Sequence, residues 1–135
     1  MIEGSKYIFD NDSLSISDIK SIIDFDFQIE LSEDTKESIT SCRSFLENTI
    51  QDNDQLHYGI NTGFGSLCNH VISKEELKKL QLNLVRSHAC GAGDEIDPIL
   101  VKLMLLLKVN ALAKGHSGIQ LSTVDRLIYL FNNNV

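Results

Sequence analysis

Apolar positions recur at helical spacing over most of this chain, and the intervals between them carry helix-start and helix-stop residues. Ser15 or Ser17 caps a short helix running to about Ile23. Asp24-Phe25-Asp26-Phe27-Gln28-Ile29 then alternates polar and apolar, as a short strand does. Leu31-Ser32-Glu33-Asp34 opens a longer helix to about Ile50. Ser32 is its N-cap, acids fill its first turn, and Ile39, Cys42, Phe45, Leu46 and Ile50 form its apolar stripe. Residues 56–70 lose the helical period and read as loop, with a short extended piece at Leu56-His57-Tyr58. Ser73 and Glu76 make a capping box for the next helix, which runs through Leu77, Leu80, Leu84 and Val85 until Gly91 and Gly93 stop it.

Asp97-Pro98 starts a further helix with proline at its favoured first position. From Ile99 to Ala113 only Lys102, Lys108 and Asn110 are polar, so this helix is apolar nearly all round. Such a helix is normally covered on most sides, and too few other helices are present to cover it, which predicts packing partners outside these residues. A last helix from about Ser122 carries Val124, Leu127, Ile128, Leu130 and Phe131. The pattern predicts a mainly α fold with a glycine-rich loop and at most a short β element.

Composition narrows the function. At 135 residues, 42% of them hydrophobic, the chain has enough apolar material for one domain with a core. No Trp, 7% aromatics and a net charge of −7 argue against a base-stacking nucleic-acid surface. Charge is unevenly spread. Residues 1–57 hold 4 Lys and Arg against 13 Asp and Glu, whereas residues 58–135 hold 8 against 6. This suggests a solvated acidic layer ahead of a segment that packs or meets an anionic group, although solubility alone explains such a bias. Cys42, Cys68 and Cys90 are odd in number, with no Cys-x-x-Cys, so neither a disulfide framework nor a zinc site is expected and a reducing cytoplasm fits. No apolar run reaches the ~18 residues of a membrane span.

Candidate chemistry concentrates in Tyr58-Gly59-Ile60-Asn61-Thr62-Gly63-Phe64-Gly65. Gly59, Gly63 and Gly65 keep side chains out of the loop and allow positive φ, so backbone N–H groups can approach a small polar ligand. On the motif alone Tyr58 packs as readily as it reacts. The third glycine of a dinucleotide fingerprint and the Gly-Lys-Ser/Thr of a Walker loop are both lacking. His88 shares a helical face with Leu77 and Leu84, near a helix C-terminus, where it either caps the last carbonyls or reaches a ligand. His57, His70 and His116 have no metal-ligand spacing with it. Gln81, Asn83 and Arg86 form an anion-binding face or a solvated flank. Lys108 and Asn110, inside the apolar helix, require partners if buried.

Three blocks together resemble the histidine ammonia-lyase family, in the family's order and separations. They are Tyr58 to Gly65, Leu80-Gln-Leu-Asn-Leu-Val-Arg-Ser-His-Ala89, and Leu107-Lys-Val-Asn-Ala-Leu-Ala-Lys-Gly-His-Ser-Gly118. The clear match covers about residues 55–135. The resemblance implies that residues 1–55 are acidic N-terminal helices, 56–70 the catalytic loop and 71–135 core helices. It implies Tyr58 as the base that removes the substrate β-proton, Gly65 beside the substrate, His88 facing the substrate side chain, and Gly59 and Gly63 shaping the loop, with no metal. Related lyases acting on phenylalanine or tyrosine carry Phe-Leu or His-Leu where this chain has Ser87-His88, so L-histidine is the expected substrate. The family's electrophile is a methylidene-imidazolone ring cyclised from Ala-Ser-Gly. That tripeptide is absent from residues 1–135, so the chain alone cannot form the ring and is expected to be inactive. Family members are homotetramers, which makes the rest of a lyase chain and further copies the expected partners, with nucleic acid and membrane excluded. A related aromatic amino-acid lyase or aminomutase, or a non-catalytic helical interaction module, is the alternative.

Overall fold

A computed structural model describes residues 2–3, 5–10, 12–52, 57–60, 62, 65 and 76–135. They fold mainly as helix. In chain order the elements are β1 (Ile2–Glu3), β2 (Lys6–Phe9), α1 (Ile16–Asp24), β3 (Gln28–Leu31), α2 (Glu33–Asp52), α3 (Leu77–His88), α4 (Pro98–Ala113) and α5 (Leu121–Asn132). By compactness the chain divides into one unit of residues 1–49 and 96–135 and another of residues 50–95.

In the first unit the local signals at helix starts act as the sequence predicts. Ser15 is the N-cap of α1, its hydroxyl accepting the Asp18 N–H while the Asp18 carboxylate accepts the Ser15 N–H. Two orphan donors of the first turn are thereby satisfied. Ser32 Oγ likewise accepts the Thr35 N–H at the start of α2 (3.2 Å). Asp97 accepts the Ile99 N–H ahead of Pro98 in α4 (2.8 Å).

The strand pattern is displaced from its expected place. β3 begins at Gln28, not Asp24, because α1 continues to Asp24 and Phe25 and Asp26 make its closing turn. The Phe25 N–H returns to Ser21 and Ile23, and Asp26 sits at φ 50°. Alternation over residues 24–27 is therefore a property of a turn, and Phe25 points out. β3 pairs in parallel with β2, Tyr7 opposite Ile29 and Phe9 opposite Leu31, and β1 lies antiparallel on the far side of β2. Strand β2 escapes sequence reading because a period of two over four residues is too short a signal. Its buried Tyr7 and Phe9 meet edge to face, ring centroids 5.1 Å apart.

The sheet residues Tyr7, Phe9, Ile29 and Leu31 close one core with Ile22, Ile39, Leu106, Val109, Leu112, Ala113, Val124 and Phe131. Burial of each larger member stabilises the fold by roughly 1.5–3 kcal/mol before entropy is counted. Phe45 departs from the expected stripe of α2 and is 73% exposed. At about 100° per residue it lies roughly 120° round the helix from Ile39, outside the face that Ile39 defines. Asn132, at the end of α5, binds the outer edge of β3. Its Oδ1 accepts the Ile29 N–H (2.9 Å) and its Nδ2 donates to the Ile29 carbonyl (3.0 Å).

The apolar character of α4 is resolved into two faces. Leu106, Val109, Leu112 and Ala113 are buried, whereas Ile99, Leu100, Met104 and Leu107 are about half exposed or more. Lys108 is exposed and Asn110 half-buried, so neither is an uncompensated core polar group. Lys102 binds the Asp26 carboxylate and Asn134 Oδ1 over the ring of Phe131.

Candidate functional site

The second unit contains the described candidate residues. Tyr58, Gly59 and Ile60 form a turn closed by the Ile60 N–H to the His57 carbonyl (3.0 Å). Gly59 takes φ 75°, a conformation that a Cβ disfavours. Its N–H donates to Thr62 Oγ1 (3.2 Å), and Thr62 is 2% exposed. Thr62 thus anchors the turn from inside. The extended piece expected at Leu56-His57-Tyr58 is replaced by this turn over its described residues; Leu56 lies outside them.

This local geometry brings the phenol to the far end of the glycine motif. Gly65, at φ 56°, directs its N–H to Tyr58 Oη (3.4 Å). At this distance the bond is long. Among the described residues nothing lies within 4 Å of the position a Cβ on Gly65 would take. Its left-handed backbone is by itself a reason for glycine. Tyr58 is 66% exposed. Tyr58 is thus largely in solvent with the Gly65 N–H directed at its Oη, an arrangement that a small molecule could approach for proton transfer. Gly63 lies outside the described residues.

His88 ends α3, as the face shared with Leu84 predicts. Its Nδ1 lies 2.9 Å from the Leu84 carbonyl and 3.0 Å from Ser87 Oγ, and Ser87 Oγ donates to the same carbonyl (2.8 Å). The histidine is exposed, and its ring lies against a carbonyl of the last turn, as the capping alternative expects. Gln81, Asn83 and Arg86 are exposed along the helix. The capping box expected at Ser73 lies outside the described residues, and Glu76 precedes Leu77 without a side-chain cap. Thr62 and Ser87 take part in these local hydrogen bonds, and the motif reading gave Thr62 no part. A hydroxyl three residues after a positive-φ glycine is the local signal for the first.

A cavity of about 430 Å³ lies elsewhere, in the first unit, lined by Ile99, Lys102, Leu105, Leu130 and Phe131 among others. Its one ammonium is already bound to Asp26 and Asn134.

The sequence pattern of the aromatic amino acid lyase family matches residues 14–135. Among curated proteins, the histidine ammonia-lyase of Legionella pneumophila subsp. pneumophila is 43% identical over 132 residues, 98% of this chain and 26% of the relative. The crystal structure of histidine ammonia-lyase from Trypanosoma cruzi superposes with a TM-score of 0.78 at 38% identity, covering 94% of this chain and 25% of that one. The phenylalanine aminomutase of Pantoea agglomerans shares the fold, with a TM-score of 0.85 at 24% identity over 96% of this chain and 25% of its own. This chain spans about a quarter of the length of the curated relatives it matches. The match over residues 14–135, with the same fold in solved relatives, makes this chain a member of the aromatic amino acid lyase family.

Proposed function

We propose that this chain is the N-terminal part of a histidine ammonia-lyase and contributes the base and a side-chain contact for non-oxidative deamination of L-histidine to urocanate and ammonia. The observation that carries the reading is the phenol of Tyr58 held against the Gly65 N–H, in a chain 43% identical to a histidine ammonia-lyase. Tyr58 takes the β-proton. As that C–H bond breaks, its electron pair forms the new double bond and the amine leaves as ammonia. Gly65 borders the substrate, Gly59 and Gly63 shape the loop, and His88 meets the substrate ring.

The methylidene-imidazolone of such lyases, when bound, supplies the electrophile that activates the substrate. No Ala-Ser-Gly occurs among the 135 residues, so this chain does not provide the precursor of that group. Residues 1–55 act as an acidic segment that, against the expectation of helices alone, also supplies the three strands and part of the core, with 56–70 as the catalytic loop and 71–135 as core helices. The rest of the lyase chain and three further copies complete the assembly in the cytoplasm. The exposed apolar residues of α4 support partners of this kind.

Two measurements test the reading. The 135-residue chain incubated with L-histidine should give no rise in urocanate absorbance over a protein-free blank. In the full-length lyase, Tyr58→Phe should lower kcat by about 10²- to 10⁴-fold, the range for loss of a general base, with KM little changed. Retention of kcat in Tyr58→Phe would remove Tyr58 from the reaction. A preference for phenylalanine or tyrosine over histidine would instead favour the related lyase or aminomutase, and no turnover of any aromatic amino acid the interaction module.

A further inference from the structure

Among the described residues, two that are not glycine hold left-handed backbone, Asp26 at φ 50° and Asn134 at φ 54°. They occupy equivalent places. Asp26 follows the end of α1, where its N–H returns to the Ile23 carbonyl and the Phe27 N–H to the Ile22 carbonyl (3.0 Å). Asn134 follows the end of α5, where its N–H returns to the Phe131 carbonyl and the Val135 N–H to the Leu130 carbonyl (3.0 Å). This pair of bonds closes many helices, and glycine is its usual left-handed residue because a Cβ is disfavoured there. Both side chains run to one atom. Lys102 Nζ, from α4, donates to the Asp26 carboxylate and to Asn134 Oδ1 (2.9 Å), and stands 5.0 Å from the centroid of the Phe131 ring. The Lys102 side chain is only 18% exposed. Its charge lies by the negative ends of two helix dipoles, which favour it.

Asn132, two residues before Asn134, holds both backbone groups of Ile29, three residues after Asp26. The end of α5 is therefore fastened twice to the stretch that leads from α1 into β3. We propose that Asp26, Lys102 and Asn134 form a latch with the ammonium as its pin, and that without the pin the last turn of α5 opens from β3 as one unit. Asp26 and Asn134 stand where glycine is easier because their side chains grip Lys102. Once Asn134 is released, the Asn132 carboxamide has to order the helix end by itself, so its bonds to Ile29 weaken too. Lys102, Phe131 and Asn134 also line the cavity of about 430 Å³, so the latch forms part of its wall.

Urea unfolding of the 135-residue chain in a mutant cycle tests the grip. In a Lys102→Met background, Asp26→Gly and Asn134→Gly should each raise the folding equilibrium constant about two- to five-fold, the relief of a left-handed residue. With Lys102 present the gain should be smaller by roughly three-fold or more, or reversed, since glycine also discards the grip. The same gain in both backgrounds would show that the two residues only tolerate their conformation, and overturns the proposal. Amide exchange reads the opening. Lys102→Met should speed exchange of the Ile29 N–H, which Asn132 holds, roughly ten-fold. The Ser32 N–H, bound to the Phe9 carbonyl on the β2 side (2.9 Å), should exchange as in the parent. An Ile29 N–H that keeps its parent rate overturns the proposal. Equal acceleration at both amides does so as well, because Lys102 would then support the whole sheet and not one helix end.

Discussion

Gly115 and Gly118 show how single residues fix the segment between α4 and α5. Both adopt left-handed backbone, φ 67° and 65°. A Cβ at position 115 would stand 3.1 Å from Ser38 Cβ and 3.2 Å from the Ser38 carbonyl carbon, which belongs to helical backbone that cannot yield. At position 118 it would meet Leu46 Cδ2 at 2.6 Å, the end of a side chain that can rotate away. Gly115→Ala should therefore destabilise the chain by about 2–3 kcal/mol and Gly118→Ala by about 1–2 kcal/mol, read from urea unfolding. Equal losses at the two sites would show that backbone conformation alone sets the cost. Ser15 offers a pH-dependent counterpart. Hydrogen bonds from its hydroxyl and N–H hold the Asp18 carboxyl below the ordinary 3.8. A folded value below the unfolded one contributes stability above the unfolded value and loses it as pH falls through the folded value. Ser15→Ala should thus cost about 1 kcal/mol near neutrality. The gap to the parent should narrow as pH falls through the folded value and the carboxylate's share is lost, while the cap bond from the Asp18 N–H to the Ser15 hydroxyl keeps the remainder. Unfolding curves at neutral and at acidic pH check this.

Elements were legible where a local rule suffices. The caps at Ser15, Ser32 and Asp97 lie within single turns, and the helices they start appear where the pattern puts them. The parallel pairing of β2 with β3 was not legible, because it joins residues across α1 and its strands have four residues each. The candidate site divides in the same way. Tyr58 and the positive φ of Gly59 and Gly65 follow from residue type, whereas the Gly65 N–H aimed at the phenol depends on the path between them. The Asn132 carboxamide belongs to the illegible class too, reaching over 103 positions to Ile29. It imitates the donor and acceptor of a neighbouring strand on the outer side of β3. Asn132→Ala removes both bonds and should cost about 1–3 kcal/mol in unfolding experiments. Asn132→Gln should not restore the loss, since the longer side chain misplaces the same amide.

For the whole molecule, the half-covered helix α4 is the feature with the widest reach. Met104 is 62% exposed and Leu107 49% exposed on the face opposite buried Leu106 and Val109. Exposed apolar surface of this extent drives association. Met104→Lys should leave the unfolding free energy of the 135-residue chain within about 0.5 kcal/mol of the parent, as exposed positions do. Self-association in sedimentation should fall. A large loss of stability would mean that Met104 is buried in solution. The long reach of Asn132 sets an order of events during synthesis. At about 5–20 residues per second, the ribosome delivers Asn132 roughly 5–20 s after Ile29. Throughout that interval the nascent chain carries β3 with a free edge, the kind of surface to which a second nascent chain can add. The safest moment for this sheet comes late, when α5 arrives and covers its free edge.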